Sequence, residues 1–584
     1  MFRDRCGRQF VLHPPMACDY KPLAAGRDFQ EELLPVAIDN IASIEPDRPF
    51  ALIARDADLA GGLQEVTFGA LARAIDRAAW WLEDNVGKPL RFPTITYIGS
   101  GDLRYYVLLA GAMKVGFKVR ANRERSRNSS WVNPQASILH LMRAARSEVF
   151  IYSTDQPLAC AIAGKCGTRT MEAPSVAYLF DEHGEAERHY FYEKTPAAAG
   201  SDPVMIFNSS GTTGFPKLTV MTHAHLAARQ AAAHPPSTTG RKGITKSEPR
   251  DRRRLILGSM GYVSMLLGLI GPVFGGRLSV MPPLHLSQTD FTPALFAKLA
   301  TAGEVDSAFV FPQLATDISR DKDALQVART LQHISFGGGP LSDEVRSRLT
   351  ACTQLNDCWS TTETGVFAFQ EPDRDASGHI VVESPGLNLH FEERRGGVFE
   401  LCIIRAPRKQ AQPFGWHQAV FDTFDDGRNK YATGDGFIKH ATKPAHWLPV
   451  GRLDDMIILS LGHSVNPLPT EQACMRWPGV RSAIGFGHMK PALGLLVEMH
   501  PDYYQPLSCS QRLHDYVFMA VKDINARRQT FERVQARHIV LCSAEKPLSR
   551  SAKGLVQREA CLKTYQEIDD CYSKSLVDHE FGEG

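Results

Sequence analysis

The 584-residue chain lacks several features that would assign a protein to a class at once. It has no run of about 18 apolar residues, the length that a membrane-spanning helix requires. Its formal net charge is +2, which predicts no general affinity for nucleic acid or for a membrane surface. Residues 1–20 carry charges rather than an apolar stretch, so we expect no secretory signal peptide. These absences favour a cytoplasmic protein with neither a membrane nor a nucleic acid as its partner.

The twelve cysteines are scattered along the chain and form no Cys-x-x-Cys pair. Cys160 and Cys166 share a short spacing, as do Cys352 and Cys358, but no histidines stand where a zinc site would need them. Reduced thiols are therefore expected, as in a cytoplasmic enzyme. A chain of this length should hold more than one domain, because single cores stop growing at roughly 250–300 residues.

Helical and strand patterns alternate along the chain. Residues 68–87 place apolar side chains on one face of a helix and end at a glycine, and residues 103–114 form a second helical stretch. Residues 94–98 and 149–152 are rich in β-branched and aromatic side chains, which is typical of strands. Such alternation predicts an α/β architecture with mostly parallel strands.

Two polar segments are expected to be insertions between these elements. Residues 120–134 are rich in arginine, asparagine and serine and show no periodicity. Residues 234–254 are rich in turn residues and end in the basic run Arg-Asp-Arg-Arg-Arg. Such a run is expected to be a solvated loop rather than a contact for the phosphates of a partner.

The most distinctive segment is Asn-Ser-Ser-Gly-Thr-Thr-Gly-Phe-Pro-Lys at residues 208–217. Gly211 and Gly214 let the backbone fold tightly around an anion. Hydroxyls and one cation accompany these glycines: Ser209, Ser210, Thr212, Thr213 and Lys217. Backbone N–H groups, hydroxyls and a positive charge together suit a polyphosphate. The glycines are closer together than in a Walker A loop, which disfavours a kinase of that class.

This segment resembles the phosphate-binding loop of the adenylate-forming superfamily, which includes acyl-CoA synthetases, luciferases and the adenylation domains of peptide synthetases. Other segments resemble the remaining motifs of the superfamily, in the same order along the chain. They are Phe-Gly-Gly-Gly-Pro-Leu at 336–341, Trp-Ser-Thr-Thr-Glu at 359–363, Tyr-Ala-Thr-Gly-Asp at 431–435, Gly-Arg-Leu-Asp-Asp at 451–455 and a lysine segment at 547–558. The resemblance covers about residues 29–570.

The resemblance implies ATP and Mg²⁺ as the ligands of the first two of these motifs. The glycine-rich turn would lie along the adenine through Gly337, Gly338 and Gly339. Thr362 would contact the α-phosphate. Glu363 would hold Mg²⁺, a cation that prefers carboxylate and phosphate oxygens.

The later motifs complete the implied site. Asp435 would bind the ribose hydroxyls, Arg452 would reach the nucleotide, and Asp454 would be the hinge between two domains. Lys553 would bridge the attacking carboxylate and the α-phosphate as charge develops. Lys217 would hold the β- and γ-phosphates from the other side.

Four features depart from the pattern of the superfamily. Trp359 stands at the usual tyrosine position, where it can still stack on a base, and Ser360 stands at the usual glycine position. No histidine is present at 260–262, where one often lines the acid pocket. Residues 120–134 replace a shorter segment found in fungal peptide-synthetase-like proteins, which other strings of the chain also resemble. These departures leave open a protein with weak activity or none.

The implied fold is α/β. A large N-terminal adenylate-forming domain, with sheets flanked by helices, would span residues 29–450. A small, mobile C-terminal α+β domain would span 451–572. An N-terminal extension at 1–28 and a tail at 573–584 would flank them.

Shorter strings resemble fungal peptide-synthetase-like proteins of secondary metabolism, in which a carrier domain and then a reductase or a thioesterase follow the adenylation domain. Examples are Thr-Lys-Pro-Ala-His-Trp at 442–447 and Lys-Gly-Leu-Val-Gln-Arg at 553–558. The sequence contains no carrier serine motif, reductase loop or thioesterase elbow. We therefore expect an adenylation unit that stands alone.

The resemblance implies ATP-dependent activation of a carboxylic acid to an acyl-adenylate, with release of pyrophosphate and later transfer to a thiol. CoA and the phosphopantetheine of a carrier protein supplied in trans both remain open as the acceptor. The resemblance also implies that an aspartate that holds an α-ammonium group would stand near residues 258–264. This stretch contains no acidic side chain, which favours an aryl or other non-amino acid. The alternative is a catalytically weak or inactive nucleotide-binding protein that retains the adenylation fold.

Overall fold

The structure is a computed structural model. It describes residues 32–123, 134–181, 188–209, 217–226, 239–241, 243, 253–258, 265–286, 290–366, 369–383, 387–394, 397–406, 420–423, 427–460, 464–503, 510–526, 528, 530–550, 556–565, 568 and 571–572.

Helices and strands are numbered in chain order within these residues. The helices are α1 (Leu34–Ile44), α2 (Phe68–Val86), α3 (Arg104–Val115), α4 (Pro134–Ala144), α5 (Pro157–Ala163), α6 (Val176–Leu179), α7 (Pro196–Ala199), α8 (Met265–Gly275), α9 (Pro293–Ala302), α10 (Pro312–Arg320), α11 (Lys322–Ala328), α12 (Asp343–Thr350), α13 (Val420–Thr423), α14 (Leu468–Met475), α15 (Ser510–Ala526) and α16 (Arg558–Thr564).

The strands are β1 (Pro49–Ala54), β2 (Leu63–Thr67), β3 (Thr94–Gly99), β4 (Lys118–Arg123), β5 (Ser147–Tyr152), β6 (Arg169–Glu172), β7 (Pro203–Ser209), β8 (Lys217–Thr222), β9 (Arg253–Ile256), β10 (Leu278–Met281), β11 (Ser307–Val310), β12 (His333–Phe336), β13 (Gln354–Asp357), β14 (Ser360–Thr361), β15 (Gly365–Val366), β16 (Ile380–Val381), β17 (Leu389–Glu393), β18 (Val398–Ile404), β19 (Lys430–Lys439), β20 (His446–Arg452), β21 (Ile457–Ile458), β22 (Ser464–Val465), β23 (Val480–Phe486), β24 (Gly494–Met499) and β25 (Ile539–Leu541). A short 3-10 turn, Leu453–Asp455, follows β20.

Two sheets with mostly parallel strands carry the larger part of the described chain. Their strand orders are β6-β5-β3-β4-β7-β8 and β13-β12-β11-β9-β10-β1-β2. The β7–β8 and β1–β2 pairs are antiparallel, and the other described pairs in these sheets are parallel. Every residue of β3 is buried, because this strand has neighbours on both sides and hydrophobic clusters on both faces. The predicted α/β fold is confirmed.

The elements predicted from sequence periodicity are present. They are α2, β3, α3 and β5. The α2 helix begins after Thr67, whose hydroxyl accepts the Ala70 N–H at 3.2 Å and so caps the first turn. It ends before Gly87, whose φ of +97° is a conformation that favours glycine. Local capping and periodicity are therefore enough to fix this helix.

The expectation of inserted loops is wrong at the described ends of both segments. Residues 120–123 belong to β4, and Arg253 and Arg254 open β9. Arg254 is buried because β9 lies between β10 and β11 in the sheet. Pairing with neighbouring strands makes these residues part of a sheet, and the basic composition of the segment gives no sign of that pairing.

A buried charge cluster joins the first three helices. The Lys114 Nζ donates to the carboxylates of Asp39 at 2.8 Å and Asp76 at 2.6 Å, and His189 Nδ1 lies 2.9 Å from Asp76. Burial raises the pKa of Asp39. The two aspartates and the histidine are close enough to hold a metal ion, but the lysine ammonium already supplies the positive charge there. This cluster therefore ties α1, α2 and α3 together.

An antiparallel sheet and a smaller unit follow. The antiparallel sheet has the order β16-β20-β19-β18-β17, and the last sheet has the order β23-β24-β25. Residues beyond 456 form two hydrophobic clusters with one another, built on β23–β25 and the C-terminal helices. The cysteines in the described part of the chain are free thiols, as expected. No described helix combines the length and apolar character needed to cross a membrane.

Candidate functional site

Two predicted motifs meet at one edge of the seven-stranded sheet. The glycine-rich turn follows β12, and Trp359 and the residues after it follow β13. These strands are parallel neighbours in which Phe336 pairs with Asp357. The Cys358 N–H donates to the Phe336 carbonyl at 2.8 Å and continues the ladder into the turn. Ligands of open α/β sheets commonly bind at such carboxyl ends.

The glycine-rich turn disfavours larger residues at Gly337, because of a close contact, and at Gly338, because of its backbone conformation. Gly338 has a φ of +100°, and a Cβ at Gly337 would lie 3.1 Å from the Cys358 carbonyl oxygen. The Phe311 ring lies beside Gly338, at 3.6 Å from the position of its missing Cβ. Gly338 and Gly339 are exposed. The turn therefore offers bare backbone, with an aromatic ring behind it, to a flat ligand.

Two threonines fix the short hairpin that carries Thr362 and Glu363. The hydroxyls of Thr361 and Thr364 are 2.9 Å apart, and the Thr364 N–H donates to the Thr361 hydroxyl at 3.1 Å. Thr364 is fully buried, whereas Thr362 and Glu363 at the tip are half-buried. Among the described residues, no hydrogen bond or ion pair engages the Glu363 carboxylate. This carboxylate is thus available to a ligand.

Trp359 forms a wall behind the hairpin. Its ring packs edge-on against Phe437, with centroids 5.3 Å apart, and lies 6.5 Å from the ring of Phe369. Phe437 belongs to β19, so this contact brings the β13 edge against the antiparallel sheet. The tryptophan that replaces the usual tyrosine is therefore accommodated by aromatic packing.

Asp435 and Arg452 face one another across the β19–β20 pair. They are register partners, and the Arg452 Nη1 lies 3.6 Å from the Asp435 carboxylate. Asp435 is buried, and burial raises its pKa to about 7; Arg452 opposes this rise, and Glu363 adds to it. Burial, followed by Glu363, also raises the pKa of Tyr431. The hairpin carboxylate therefore lies close enough to β19 to act on both groups.

Arg452 connects Asp435 to the predicted hinge. Its Nη1 donates to the Thr433 carbonyl at 2.8 Å, and its Nη2 donates to the Asp454 carboxylate at 3.3 Å. Asp454 lies in the 3-10 turn directly after β20 and its side chain is 60% exposed. One guanidinium thus spans the segment before Asp435 and the turn where the chain leaves the antiparallel sheet.

The structure describes only the two ends of the predicted phosphate loop. Ser209 and Lys217 are register partners at the end of the β7–β8 pair. The other predicted residues of this loop lie outside the described residues: Ser210, Gly211, Thr212, Thr213 and Gly214. A hairpin closed by Ser209 and Lys217 is the frame from which that loop starts.

Lys553 also lies outside the described residues, but both of its flanks are described. Arg550 and Val556 form an isolated antiparallel bridge around the lysine segment. The Arg550 guanidinium pairs with the buried carboxylate of Glu498 and donates to the Ser482 hydroxyl at 2.7 Å. Arg550, on one side of Lys553, is therefore held against the last sheet, and the bridge ties Val556, on the other side, to Arg550.

One buried acid at the site was not predicted from the sequence. Asp357 is the last residue of β13 and stands two positions before Trp359. Burial raises its pKa to about 8, and Arg346 opposes the rise. A carboxyl group at the end of a buried strand, directly before a predicted motif, was the signal available in the sequence.

Two family models match the chain. The model of the AMP-binding enzyme family matches residues 40–395. The model of the AMP-binding enzyme C-terminal domain matches residues 454–576. The first match includes the predicted phosphate loop, the glycine-rich turn and the hairpin, and the second includes Asp454, the predicted hinge residue, and the lysine segment.

The chain is also similar to known proteins. The chain is similar to a carboxylic acid reductase of Neurospora crassa, with 28% identity over 90% of the chain and 49% of that protein. It is similar to an adenylate-forming reductase of Serpula lacrymans, with 25% identity over 92% of the chain and 49% of that protein. The chain thus spans about half the length of these relatives. Among solved structures, it resembles O-succinylbenzoate coenzyme A synthetase of Bacillus subtilis in complex with AMP, with a TM-score of 0.64, 16% identity, and coverage of 90% and 97% of the two chains.

Proposed function

The chain belongs to the AMP-binding enzyme family, and we propose that it uses ATP to activate a carboxylic acid. A carboxylate oxygen attacks the α-phosphorus, the bond to pyrophosphate breaks, and an acyl-adenylate forms. A thiol sulfur then attacks the acyl carbon and AMP leaves. Little covalent chemistry falls to the protein, so positioning and charge neutralisation carry the rate.

The observation that carries the proposal is the meeting of four motifs at one place. The glycine-rich turn and the Glu363 hairpin follow β12 and β13, which are neighbouring parallel strands. The Glu363 carboxylate raises the pKa of Asp435, and Asp435 faces Arg452. In our proposal, the turn holds the adenine, Asp435 accepts bonds from the ribose hydroxyls, and Arg452 contacts the nucleotide. Trp359 forms the wall beside the base.

Glu363 would hold Mg²⁺. Its carboxylate is half-buried and unengaged among the described residues, and it stands beside the Thr362 hydroxyl at the tip of a fixed hairpin. A carboxylate with neighbouring phosphate oxygens is the donor set that this cation prefers. When bound, Mg²⁺ neutralises charge on the phosphates. Thr362 would bond the α-phosphate.

The two lysines are proposed to act from opposite ends of the chain. Lys217, with the loop hydroxyls and glycines at 209–214, would hold the β- and γ-phosphates. Lys553 would neutralise charge on the reacting oxygens. We propose that Asp454 is the hinge between a domain at 29–450 and a domain at 451–572, and that rotation there withdraws Lys553 before the thiol enters.

The acid is proposed to be an aryl or other non-amino acid. Residues 258–264 contain no acidic side chain to pair with an α-ammonium group. The Neurospora crassa relative is named for the reduction of carboxylic acids, which supports a simple acid as the substrate. CoA and a carrier protein in trans remain the two candidate acceptors, and a cytoplasmic location remains a prediction.

Exchange of labelled pyrophosphate into ATP tests the proposal. Wild-type protein should catalyse exchange with at least one member of a panel of aryl, fatty and amino acids. Lys553→Ala should lower that exchange by at least about a hundredfold, because it removes the charge nearest the reacting oxygens. Conversion of a nearby surface lysine, Lys563→Ala, is the matched control and should leave exchange unchanged.

A different outcome supports the second candidate, an inactive nucleotide-binding protein. Trp359 and Ser360 stand where the superfamily has tyrosine and glycine, and they alter the pocket beside the adenine turn. Tight ATP binding without exchange on any acid would favour that candidate. Formation of ADP instead of AMP would contradict both candidates and indicate transfer of the γ-phosphate.

A further inference from the structure

Glu400 lies beneath the turn that presents Asp435. It belongs to β18, and its side chain is 9% exposed. Its Oε1 accepts the Gly434 N–H at 2.9 Å, while its Oε2 accepts the Arg394 Nε at 2.9 Å and also bonds the Arg394 Nη2. The carboxylate is therefore divided between an arginine at the surface and one backbone N–H beside the proposed ribose ligand.

The backbone around that N–H is irregular. The β18–β19 register shifts at this point, so residues 433–435 stand opposite Leu401 alone. The Thr433 hydroxyl donates to the Leu401 carbonyl at 2.9 Å and accepts the Asp435 N–H at 3.2 Å. A bulge of this kind turns a strand locally and re-aims its side chains. Here the re-aimed side chain is Asp435.

The bulge also depends on a conformation that needs glycine. Gly434 has a φ of +73°, and a Cβ there would lie 2.6 Å from the Arg452 Nη2. The ladder offers no partner to the Gly434 N–H at this irregular position, and Glu400 supplies one. Because the acceptor is charged, this bond is about twice as strong as a neutral backbone bond.

We propose that Glu400 is a positioning residue for the nucleotide, which holds the bulge so that the Asp435 carboxylate faces the ribose. The proposal rests on the proposed function, since it takes Asp435 as the ribose ligand. In this role Glu400 acts through the Gly434 N–H and needs no contact of its own with the nucleotide. Its loss should therefore weaken the ribose contact and spare the contacts with the adenine and the phosphates.

Paired binding of ATP and 2′-deoxy-ATP to the full chain tests this role. Wild type should bind ATP about tenfold more tightly than 2′-deoxy-ATP, because one hydroxyl bond to a carboxylate is lost. In Glu400→Ala, ATP should bind about tenfold more weakly, and the preference for ATP over 2′-deoxy-ATP should fall below about twofold. The reason is that the substitution and the loss of the 2′-hydroxyl remove the same contact with Asp435. Glu400→Gln keeps an oxygen for the Gly434 N–H and should restore part of the preference. Glu393→Ala, at an exposed glutamate of β17, should behave as wild type.

Equal weakening of ATP and 2′-deoxy-ATP in Glu400→Ala would overturn the proposal, because it would show a general loss of structure. If that variant does not fold, Arg394→Gln loosens the same carboxylate from its 42% exposed partner and should also lower the preference. Failure of the proposed function looks different. In that case wild type and Asp435→Asn would show the same preference or bind no ATP, and the role of Glu400 would fall with that of Asp435.

Discussion

The Asp435 carboxyl should make the use of ATP depend on pH in the neutral range. Burial raises its pKa to about 7, Arg452 opposes the rise, and the carboxylates of Glu363, Asp454 and Asp455 add to it. The ionised carboxylate can accept hydrogen bonds from both ribose hydroxyls, whereas the protonated carboxyl has lost its charge and part of its acceptor capacity. Nucleotide binding should therefore select the ionised form.

The size of the effect follows from the ionised fraction. With a pKa of about 7, about a tenth of the empty sites are ionised at about pH 6 and about nine tenths at about pH 8. A hydrogen bond to a charged group contributes about 1.5–3 kcal/mol, so the protonated form should bind ATP at least about tenfold more weakly. The value of kcat/KM for ATP should then rise about fivefold between these two pH values, and about tenfold where the protonated form binds no ATP.

Pyrophosphate exchange at a saturating acid concentration provides the measurement, because kcat/KM reports the pKa values of the free enzyme. ATP and other groups also titrate in this range, so Asp435→Asn is the control that retains them. The profile of wild type divided by that of the variant should show a single rise centred near pH 7. A ratio that stays flat would refute the reasoning, since ionisation of Asp435 would then have no part in binding.

Folding stability should change with pH in the opposite sense. The folded pKa of Asp435 lies above the unfolded value of about 3.9, so the folded state holds the proton more tightly. Stability from this group is complete below about pH 4 and is lost as the pH rises to about 7. Because ATP is proposed to bind the ionised form, the increase in Tm on adding ATP should be larger at about pH 8 than at about pH 6. Asp435→Asn should lose this difference.

Two further variants test the packing around these groups. Lys114→Met removes the cation of the buried charge cluster and should lower the free energy of unfolding by about 3–5 kcal/mol in urea titrations; a loss below about 1 kcal/mol would show that the aspartates do not need it. Gly434→Ala should raise KM for ATP severalfold and leave KM for the acid unchanged, because its Cβ would lie 2.6 Å from Arg452. Gly397→Ala has a similar φ of +74° with no atom within 4 Å, so it tests strain alone and should leave both KM values unchanged.

The parts of the fold that could be predicted are those with a local signal. The α2 helix carries its own apolar face, a threonine cap and a terminal glycine, so its bounds could be read from the sequence. The prediction of a loop that ends at residue 254 is wrong, because the structure there depends on strands that are distant in the sequence. Arg253 and Arg254 look like a solvated basic run, yet β10 and β11 on either side make them part of a buried sheet.

The site shows the same division. Asp435 and Arg452 could be named from short motifs, but their 3.6 Å contact depends on the register of β19 with β20. Glu400 could not be named, because no motif marks it and its contact with Gly434 exists only where the strands slip out of register. Residues that act through another residue leave no pattern of their own in one sequence.

Arg452 connects the residues of two proposed events, binding of the ribose by Asp435 and rotation of the chain at Asp454. Its Nη1 bonds the Thr433 carbonyl at the start of the bulge, and its Nη2 bonds the Asp454 carboxylate in the turn that follows β20. If the chain rotates at Asp454, the 3.3 Å bond cannot keep its geometry, whereas the bond to the bulge can. In the proposed rotation, Arg452 would thus keep its contact beside Asp435, the proposed ribose ligand, and lose its bond to Asp454, the proposed hinge. Because the hinge carboxylate is 60% exposed and water can replace it as an acceptor, the exchange should cost little. A low cost of this kind suits the repeated movement that the proposed two half-reactions would require.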